Sequence, residues 1–533
     1  MNIAAIYSFI HSLWAIPAFV FPHTVRLSTS VSQFEVHQLP NSSSLPVSWA
    51  GRLPVPETPP GNSLFFWLFQ AEDPAYDENL IIWFNGGPGC SSLIGLTTGN
   101  GPVSFDGNST RLIRNPHSWT KLGNVLYVDQ PVGTGYSTAS NPYPVPDNDR
   151  VTSDFYKWLR NFFILFPNLR SKRVHMIGES WAGIYIPYFA SAIVEGQDLF
   201  PIDLRSISIG DGTIGNPAAM STVTIGKFMR SQKDTLQIPN EIRSVFTEVE
   251  AICGFDEILK AANQYPPNGK IHIPGHPENR NYKRHDPTNT TCNIHPTTPD
   301  MVKTSILNST CYGPCATFAT AFDYMSTVSA SGAGKQCHDI YDTHNDCNTI
   351  DPLDLLAAYF SRADVQVALN LLPAAEESLN SHNSAPPTTF SPCNSTILDK
   401  LLTSTPPVAP AYSILPHLVT SHNISLHIYS GEHDMLVNHF GTELCLQNMT
   451  WNGAQGFSQK PSRLFFADNA VPSHFLLHSC EKENSTETCD SAAGLWASER
   501  GVTYHLFWGA GHSVFGKKPR EMFAYVRDVV VAG

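Results

Sequence analysis

Residues 173–189 read RVHMIGESWAGIYIPYF, and this stretch decides the fold. Its first part, Val174–Ile177, is a short apolar run that stops at Gly178, the pattern of a strand covered on both faces. Its last part, Ile184–Phe189, continues as an apolar helix. Between them Gly178-Glu179-Ser180-Trp181-Ala182-Gly183 makes the turn. A serine on a sharp turn between strand and helix has its Oγ lifted clear of the sheet, at a helix N-terminus. Small flanking residues permit the strained turn, and the N–H of Trp181 then points toward a developing oxyanion. The hydrolase pattern G-x-S-x-G is met loosely, because Ala182 holds the last position and Gly183 follows it. An N-cap serine on an ordinary helix is the competing reading; the preceding strand weighs against it.

Working outward, further strand-like runs occur at 63–70 (SLFFWLFQ), 80–85 (LIIWFN), 124–129 (NVLYVD), 206–211 (SISIGD), 425–431 (SLHIYSG) and 503–508 (TYHLFW). Helix-like stretches lie between them. In 153–167, Phe155, Trp158, Phe162 and Phe166 recur at helical spacing, and 184–196 is a second such stretch. This alternation predicts an α/β fold with a mostly parallel central sheet flanked by helices. Residues 26–62 are polar and Pro/Ser-rich and read as a surface arm. The alternation stops between about 218 and 350, where Pro, Asn, Thr, His and Cys dominate. We expect an inserted cap there, stapled by some of Cys253, Cys292, Cys311, Cys315, Cys337 and Cys347. A zinc site is the other use of such a cluster, but the spacings do not match finger patterns. The expected division is a signal peptide over 1–22, core over 23–217, cap over 218–350 and core again over 351–533. There is no internal repeat.

A serine nucleophile needs a base and an orienting acid. In α/β hydrolases these follow in the order Ser, Asp, His, each after a late strand. The strand LHIYS is followed by Gly431-Glu432-His433-Asp434, and TYHLFW by Gly509-Ala510-Gly511-His512. Both loops lie just past C-terminal strand ends, where this architecture places its chemistry. Asp434 as a solvated acid and His512 as one surface histidine among 21 are the plain alternatives. Order, strand context and the glycines favour Ser180, Asp434 and His512 as a triad. Glu432 and His433 are neighbours easily mistaken for its members.

Composition fits an exported enzyme. Of 533 residues, 42% are hydrophobic and 11% aromatic, enough for a large core, which excludes disorder, collagen and coiled coil. Lys+Arg number 33 against 46 Asp+Glu, and this net charge of −13 argues against nucleic acid or an anionic membrane as partner. The N-terminus, MNIAAIYSFIHSLWAIPAFVFPHTV, is apolar without acids and reads as a secretory signal, cleaved around residues 18–25, although no Lys or Arg precedes the apolar run. Eleven cysteines without a C-x-x-C pair imply disulfides with one thiol left over. Asn-x-Ser/Thr acceptors begin at Asn41, Asn108, Asn289, Asn308, Asn394, Asn423, Asn448 and Asn484. Together these features indicate a glycosylated secreted or vacuolar protein.

The chain resembles the serine carboxypeptidases from about residue 35 onward. The resemblance rests on GESWAG, on Trp83-Phe84-Asn85-Gly86-Gly87-Pro88-Gly89-Cys90-Ser91-Ser92, on Asn115-Pro116-His117-Ser118-Trp119, on Val128-Asp129-Gln130-Pro131-Val132-Gly133-Thr134-Gly135-Tyr136-Ser137, and on GEHD and GAGHSVFGKKP. It implies an α/β-hydrolase fold with a cap and the removal of single residues from peptide C-termini. It carries over Ser180, Asp434 and His512 as triad, Gly87 and Trp181 as oxyanion donors, and Asn85 and Glu179 as ligands of the substrate's terminal carboxylate. It also implies a Cys90–Cys393 disulfide. No cofactor or metal is implied.

The residues themselves agree. NGGPG after a strand is a turn whose glycines let N–H groups face a bound anion. It contains no lysine or arginine to take a carboxylate. Glu179 can hydrogen-bond a carboxylate only if one of the pair holds a proton, and two carboxyls that close raise one pKa. Peptide hydrolysis is therefore expected to favour acidic pH. Four departures from the family pattern stand out. Gly99 replaces a glutamate that helps bind the carboxylate in many relatives, with Asn100 beside it as a partial substitute. Trp181 replaces the usual tyrosine and keeps the backbone donor. Ser513-Val514-Phe515 replaces Met-Val-Pro after the histidine, so the pocket for the departing residue should differ. Glu432 replaces an aspartate away from the catalytic position. Two other functions fit parts of the pattern: an acyltransferase on the same scaffold, which the lost glutamate at Gly99 recommends, and an inactive binding scaffold, which the intact triad positions oppose.

Overall fold

The structure, a computed structural model, describes residues 30–274, 296–308, 313–330, 338–345, 352–373, 388–467 and 492–532. The expected signal peptide, Asn289, Asn484, Cys292, Cys311, Cys337 and Cys347 lie outside them.

Among the described residues, ten strands form the main sheet: β1 Ser48–Pro54, β2 Ser63–Phe69, β3 Asn79–Phe84, β4 Asn124–Asp129, β5 Arg173–Glu179, β6 Leu204–Gly210, β7 Ser425–Gly431, β8 Arg463–Phe465, β9 Gly494–Glu499 and β10 Val502–Phe507. Their spatial order is β1-β2-β4-β3-β5-β6-β7-β10-β9-β8. The six strands from β4 to β10 in that order run parallel, and antiparallel pairs flank them on both sides. Alternate residues of the buried strands serve opposite faces. Phe66 and Leu68 join one hydrophobic cluster while Phe65, Trp67 and Phe69 join the other. This double burial explains why these strands read as unbroken apolar runs.

Helix α1 (Asn148–Leu165) covers one face with Phe155, Trp158 and Phe162, and helix α2 (Ala182–Glu195) packs beside it. Helix α1 starts five residues before the aromatic spacing suggested, because the Asp147 side chain accepts the Arg150 N–H at 3.0 Å and caps it.

The expected surface arm over 26–62 is corrected: it contains strand β1, whose Ala50 and Leu53 are buried. Gly51 and Pro54 conceal the strand in the sequence. Its place comes from the open edge of β2, which it pairs in register from Ser48↔Phe69 to Pro54↔Ser63. Strands β8 and β9, short or half-buried, also escaped the sequence reading.

After β6 come helices over Ile225–Ser231, Asn240–Ile252, Pro299–Leu307 and Thr317–Ala330. They share a separate cluster built on Phe228, Phe246, Val249, Val302, Ile306 and Tyr324. Met435, next to Asp434, belongs to this cluster, so it packs on the loop carrying the acid. Cys253 and Cys315 are joined here, Cys90 and Cys393 elsewhere, while Cys445 is a free buried thiol. Among the described residues no helix is long and apolar enough to cross a membrane.

Candidate active site

Strand β5 delivers Ser180 at the carboxyl edge of the sheet. Ser180 has φ 61°, a left-handed backbone that a serine adopts only when its surroundings enforce it. The enforcement is visible. Its N–H donates to Gly210 O at 2.9 Å, and its carbonyl accepts from Gly183 N at 2.9 Å and Thr213 N at 3.0 Å. Gly178 lets the turn close: a Cβ there would stand 2.5 Å from Phe84 O and 2.7 Å from Ala182 Cβ. The turn after β3 comes up against this elbow. A Cβ on Gly86 would meet Trp181 N at 2.5 Å and Ser180 Cβ at 2.7 Å. The Gly86 backbone thus lies against Ser180 and the Trp181 amide, with Gly87 next in the chain.

Asp434 and His512 arrive on the loops after β7 and β10. Both are buried, and His512 Nδ1 lies 2.7 Å from Asp434 Oδ2. The other carboxylate oxygen accepts Leu436 N at 2.8 Å and Val437 N at 3.1 Å, so the acid is held on both sides. Burial alone would lower the His512 pKa. The Asp434 charge and hydrogen bond outweigh it, with Glu179 adding to them, and the net direction is up. The structure forms no hydrogen bond between Ser180 Oγ and His512, a contact that commonly tightens only with substrate bound.

His433 and Glu432 are accounted for otherwise. His433 Nδ1 pairs with Gln232 Oε1 at 2.9 Å, and its ring lies 3.7 Å from that of His344. Glu432 accepts the Gly509 N–H at 3.0 Å.

Asn85 and Glu179 meet directly: Asn85 Nδ2 donates to Glu179 Oε1 at 3.0 Å. The amide cannot turn over, because Asn85 Oδ1 already accepts Trp83 Nε1 at 2.8 Å and Gly95 N at 3.0 Å. Ser513 Oγ donates to the same Glu179 oxygen at 3.4 Å. Glu179 Oε2 has no partner. Burial pushes the Glu179 pKa up to about 7 against the pull of His512, so the group is proton-bearing at mildly acidic pH.

At Gly99 no side chain has room: a Cβ would stand 2.3 Å from Phe515 O. Phe515 thus fills the space beside Trp83, ring centroids 4.8 Å apart. Asn100 is fully buried over Gly95 near Trp83 Nε1, but bonds to neither Asn85 nor Glu179.

Sequence reasoning gave no role to Trp83, Asp129 or Asp211, and placed Ser513 in the leaving-residue pocket without its bond to Glu179. Asp129 Oδ1 accepts Ser91 Oγ at 2.6 Å and Ser92 N at 2.9 Å, and its Oδ2 accepts Tyr136 N at 3.0 Å. It thereby fastens the turn of Gly86–Cys90 to the next strand end. Its position inside the quoted VDQPVGTGYS motif was the available signal.

The fold is that of the α/β hydrolases, and a strained serine at the carboxyl edge of the sheet, with a buried His–Asp pair on the loops after two later strands, has the parts needed for covalent acyl transfer. The serine carboxypeptidase family model matches residues 47–532, and the chain belongs to that family. It is 46% identical over 511 residues, 94% of either chain, to a carboxypeptidase Y homolog of Arthroderma benhamiae. It is 29% identical over 517 residues to the pheromone-processing carboxypeptidase kex1 of Aspergillus fumigatus, across 94% of this chain and 68% of that one. The crystal structure of Kex1(delta)p, a prohormone-processing carboxypeptidase from Saccharomyces cerevisiae, has the same fold. Its TM-score is 0.66 at 21% identity, covering 94% of this chain and 96% of that chain. The protein is a serine-type carboxypeptidase, a hydrolase working through an acyl-enzyme on peptides or proteins.

Proposed function

We propose that Ser180 attacks the last peptide carbonyl while His512 takes its proton. Asp434 holds the imidazole in the tautomer with Nδ1 protonated and stabilises the imidazolium that forms. The amides of Gly87 and Trp181 receive the tetrahedral oxyanion. His512 returns the proton to the leaving amino acid, water repeats the sequence on the acyl-enzyme, and the shortened peptide departs. The buried 2.7 Å contact between His512 and Asp434 carries this reading, together with the strained backbone of Ser180.

Substrate is selected by its terminal carboxylate. Asn85 Nδ2 and the protonated Glu179 Oε2 donate to it, which makes peptide hydrolysis favour acidic pH. The unpartnered Oε2 beside an amide of fixed orientation supports this role. We take 218–350 as the cap over the site. The protein travels the secretory pathway as a glycoprotein, secreted or delivered to a vacuole, and needs no cofactor. Mass spectrometry of a peptide over pH 4–8 tests the proposal. A ladder of single-residue C-terminal losses is expected, absent with Ser180→Ala. Internal cleavage, or a ladder that survives the substitution, would refute it.

A further inference from the structure

Asp211 is the first residue after β6 and is completely buried. Its φ is 42°, a second left-handed residue in this small region. Its N–H donates to Tyr429 O on β7 at 2.9 Å. Its Oδ1 accepts the N–H of Gly431, the last residue of β7, also at 2.9 Å. Three residues beyond Gly431 stands Asp434. On the other side, Gly210 O receives the Ser180 N–H, and Thr213 N–H reaches back to Ser180 O. The turn over 210–213 is thus bonded to the nucleophile on one flank and to the strand delivering the acid on the other.

No donor reaches Asp211 Oδ2. The titratable groups facing Asp211 are Glu179 from β5, Asp434 from the loop after β7, Tyr429 from β7 and Tyr504 from β10. All four are acids, and none supplies a positive charge. A dry carboxylate with one backbone donor and two acidic neighbours is far costlier ionised than neutral. Burial and the Asp434 and Glu179 charges, against the Gly431 N–H, drive its pKa well above the usual carboxylate range. The surroundings thus favour the neutral acid, and Oδ2, which accepts from no donor, is the oxygen open to carry the proton.

We infer that Asp211 is a positioning residue of the reaction: as a neutral acid it ties the Ser180 elbow to the Asp434 loop, and its ionisation sets an alkaline limit on turnover. The inference rests on the reading of Ser180 and Asp434 as nucleophile and orienting acid. The limit is separate from that of Glu179, which acts on binding of a terminal carboxylate. An N-blocked amino-acid ester carries no such carboxylate, so its kcat is free of the binding effect of Glu179, and the difference between wild type and Asp211→Asn isolates Asp211.

The test compares wild type, Asp211→Leu and Asp211→Asn on a blocked ester over pH 5–10, with thermal melting and Ser180 titration by a serine reagent to count folded sites. Asp211→Leu lacks the acceptor for Gly431 and should lose at least tenfold in kcat per titrated site at every pH. Asp211→Asn keeps the acceptor and cannot ionise. It should recover the acid-pH kcat and lack the alkaline fall seen in wild type. Superimposable pH profiles of wild type and Asp211→Asn would overturn the inference. So would an Asn variant as impaired as the Leu variant. Ester hydrolysis persisting in Ser180→Ala would instead strike at the underlying assignment of the nucleophile.

Discussion

Replacing Glu179 by Gln removes one ionisable proton while leaving a donor of the same length. The wild-type carboxyl, with its pKa pushed up to about 7 by burial, holds its proton below neutrality and loses it above. If only the protonated form accepts a substrate carboxylate, KM for a peptide is flat below about pH 6. It then climbs ~tenfold per pH unit once the group ionises, the equivalent of ~1.4 kcal/mol per unit. Between pH 6 and 8 the wild-type KM should rise on the order of tenfold. Asn85 and Ser513 both donate to Oε1, so the Gln side chain keeps its oxygen there and presents Nε2 where the acidic proton stood. The variant's KM should vary less than about twofold over the same range. The imidazole supplies a control. Burial lowers the His512 pKa, the Asp434 interaction raises it, and the Glu179 charge raises it further. His512 must be neutral to act as base, but below pH 6 and in the productive complex Glu179 already holds its proton, so Glu179→Gln should leave the acid limb of kcat in place. The assay is steady-state release of a C-terminal residue from one peptide at pH 4.5–8.5, beside its C-terminally blocked ester. A variant that keeps the wild-type rise in KM would refute the reasoning, as would an equal rise for the blocked ester.

Three further outcomes are expected. Gly99→Glu should weaken the enzyme, because the new Cβ collides with Phe515 O in the turn that also carries Ser513; a loss on the order of 10² in kcat/KM is expected, and a lower KM would contradict it. Asn108 and Asn423, both exposed, should carry glycans, while Asn448, whose amide exchanges hydrogen bonds with Ile271 at 2.8 and 2.9 Å, should not; peptide mapping after deglycosylation in heavy-oxygen water decides, and occupancy at Asn448 would count against it. His505, ringed by Trp496, Phe465, Phe507 and Tyr525 without a hydrogen bond, is held neutral by burial, its pKa lowered to about 3. Its contribution is intact above the unfolded value near 6.5 and is lost as pH falls, by roughly 3 kcal/mol at pH 4.5. His505→Phe should therefore narrow the gap in Tm between pH 7 and 4.5, and an unchanged gap would refute this.

The chain segments of the candidate triad were legible because each sits where a clear apolar strand gives way to a glycine-bearing loop. GESWAG, GEHD and GAGH all follow strands whose bounds in the structure are within two residues of those read from the sequence. What the sequence concealed depends on partners far along the chain. Asp211 and Asp129 look like ordinary loop acids; their importance comes from burial and from bonds to Gly431, Ser91 and Tyr136. Strand β1 exists because β2 has an edge to offer, not because SWAGRLP has strong strand character. That a side chain at Gly99 would meet the Phe515 carbonyl could not be read locally either, because it depends on a residue hundreds of positions away.

The Cys90–Cys393 link bridges 303 positions. The loop proposed to cradle the reacting oxygen is thus pinned only after most of the polypeptide has been made, and the proposed acid and base, Asp434 and His512, are translated later still. A truncated or stalled chain holds a serine but no working protease.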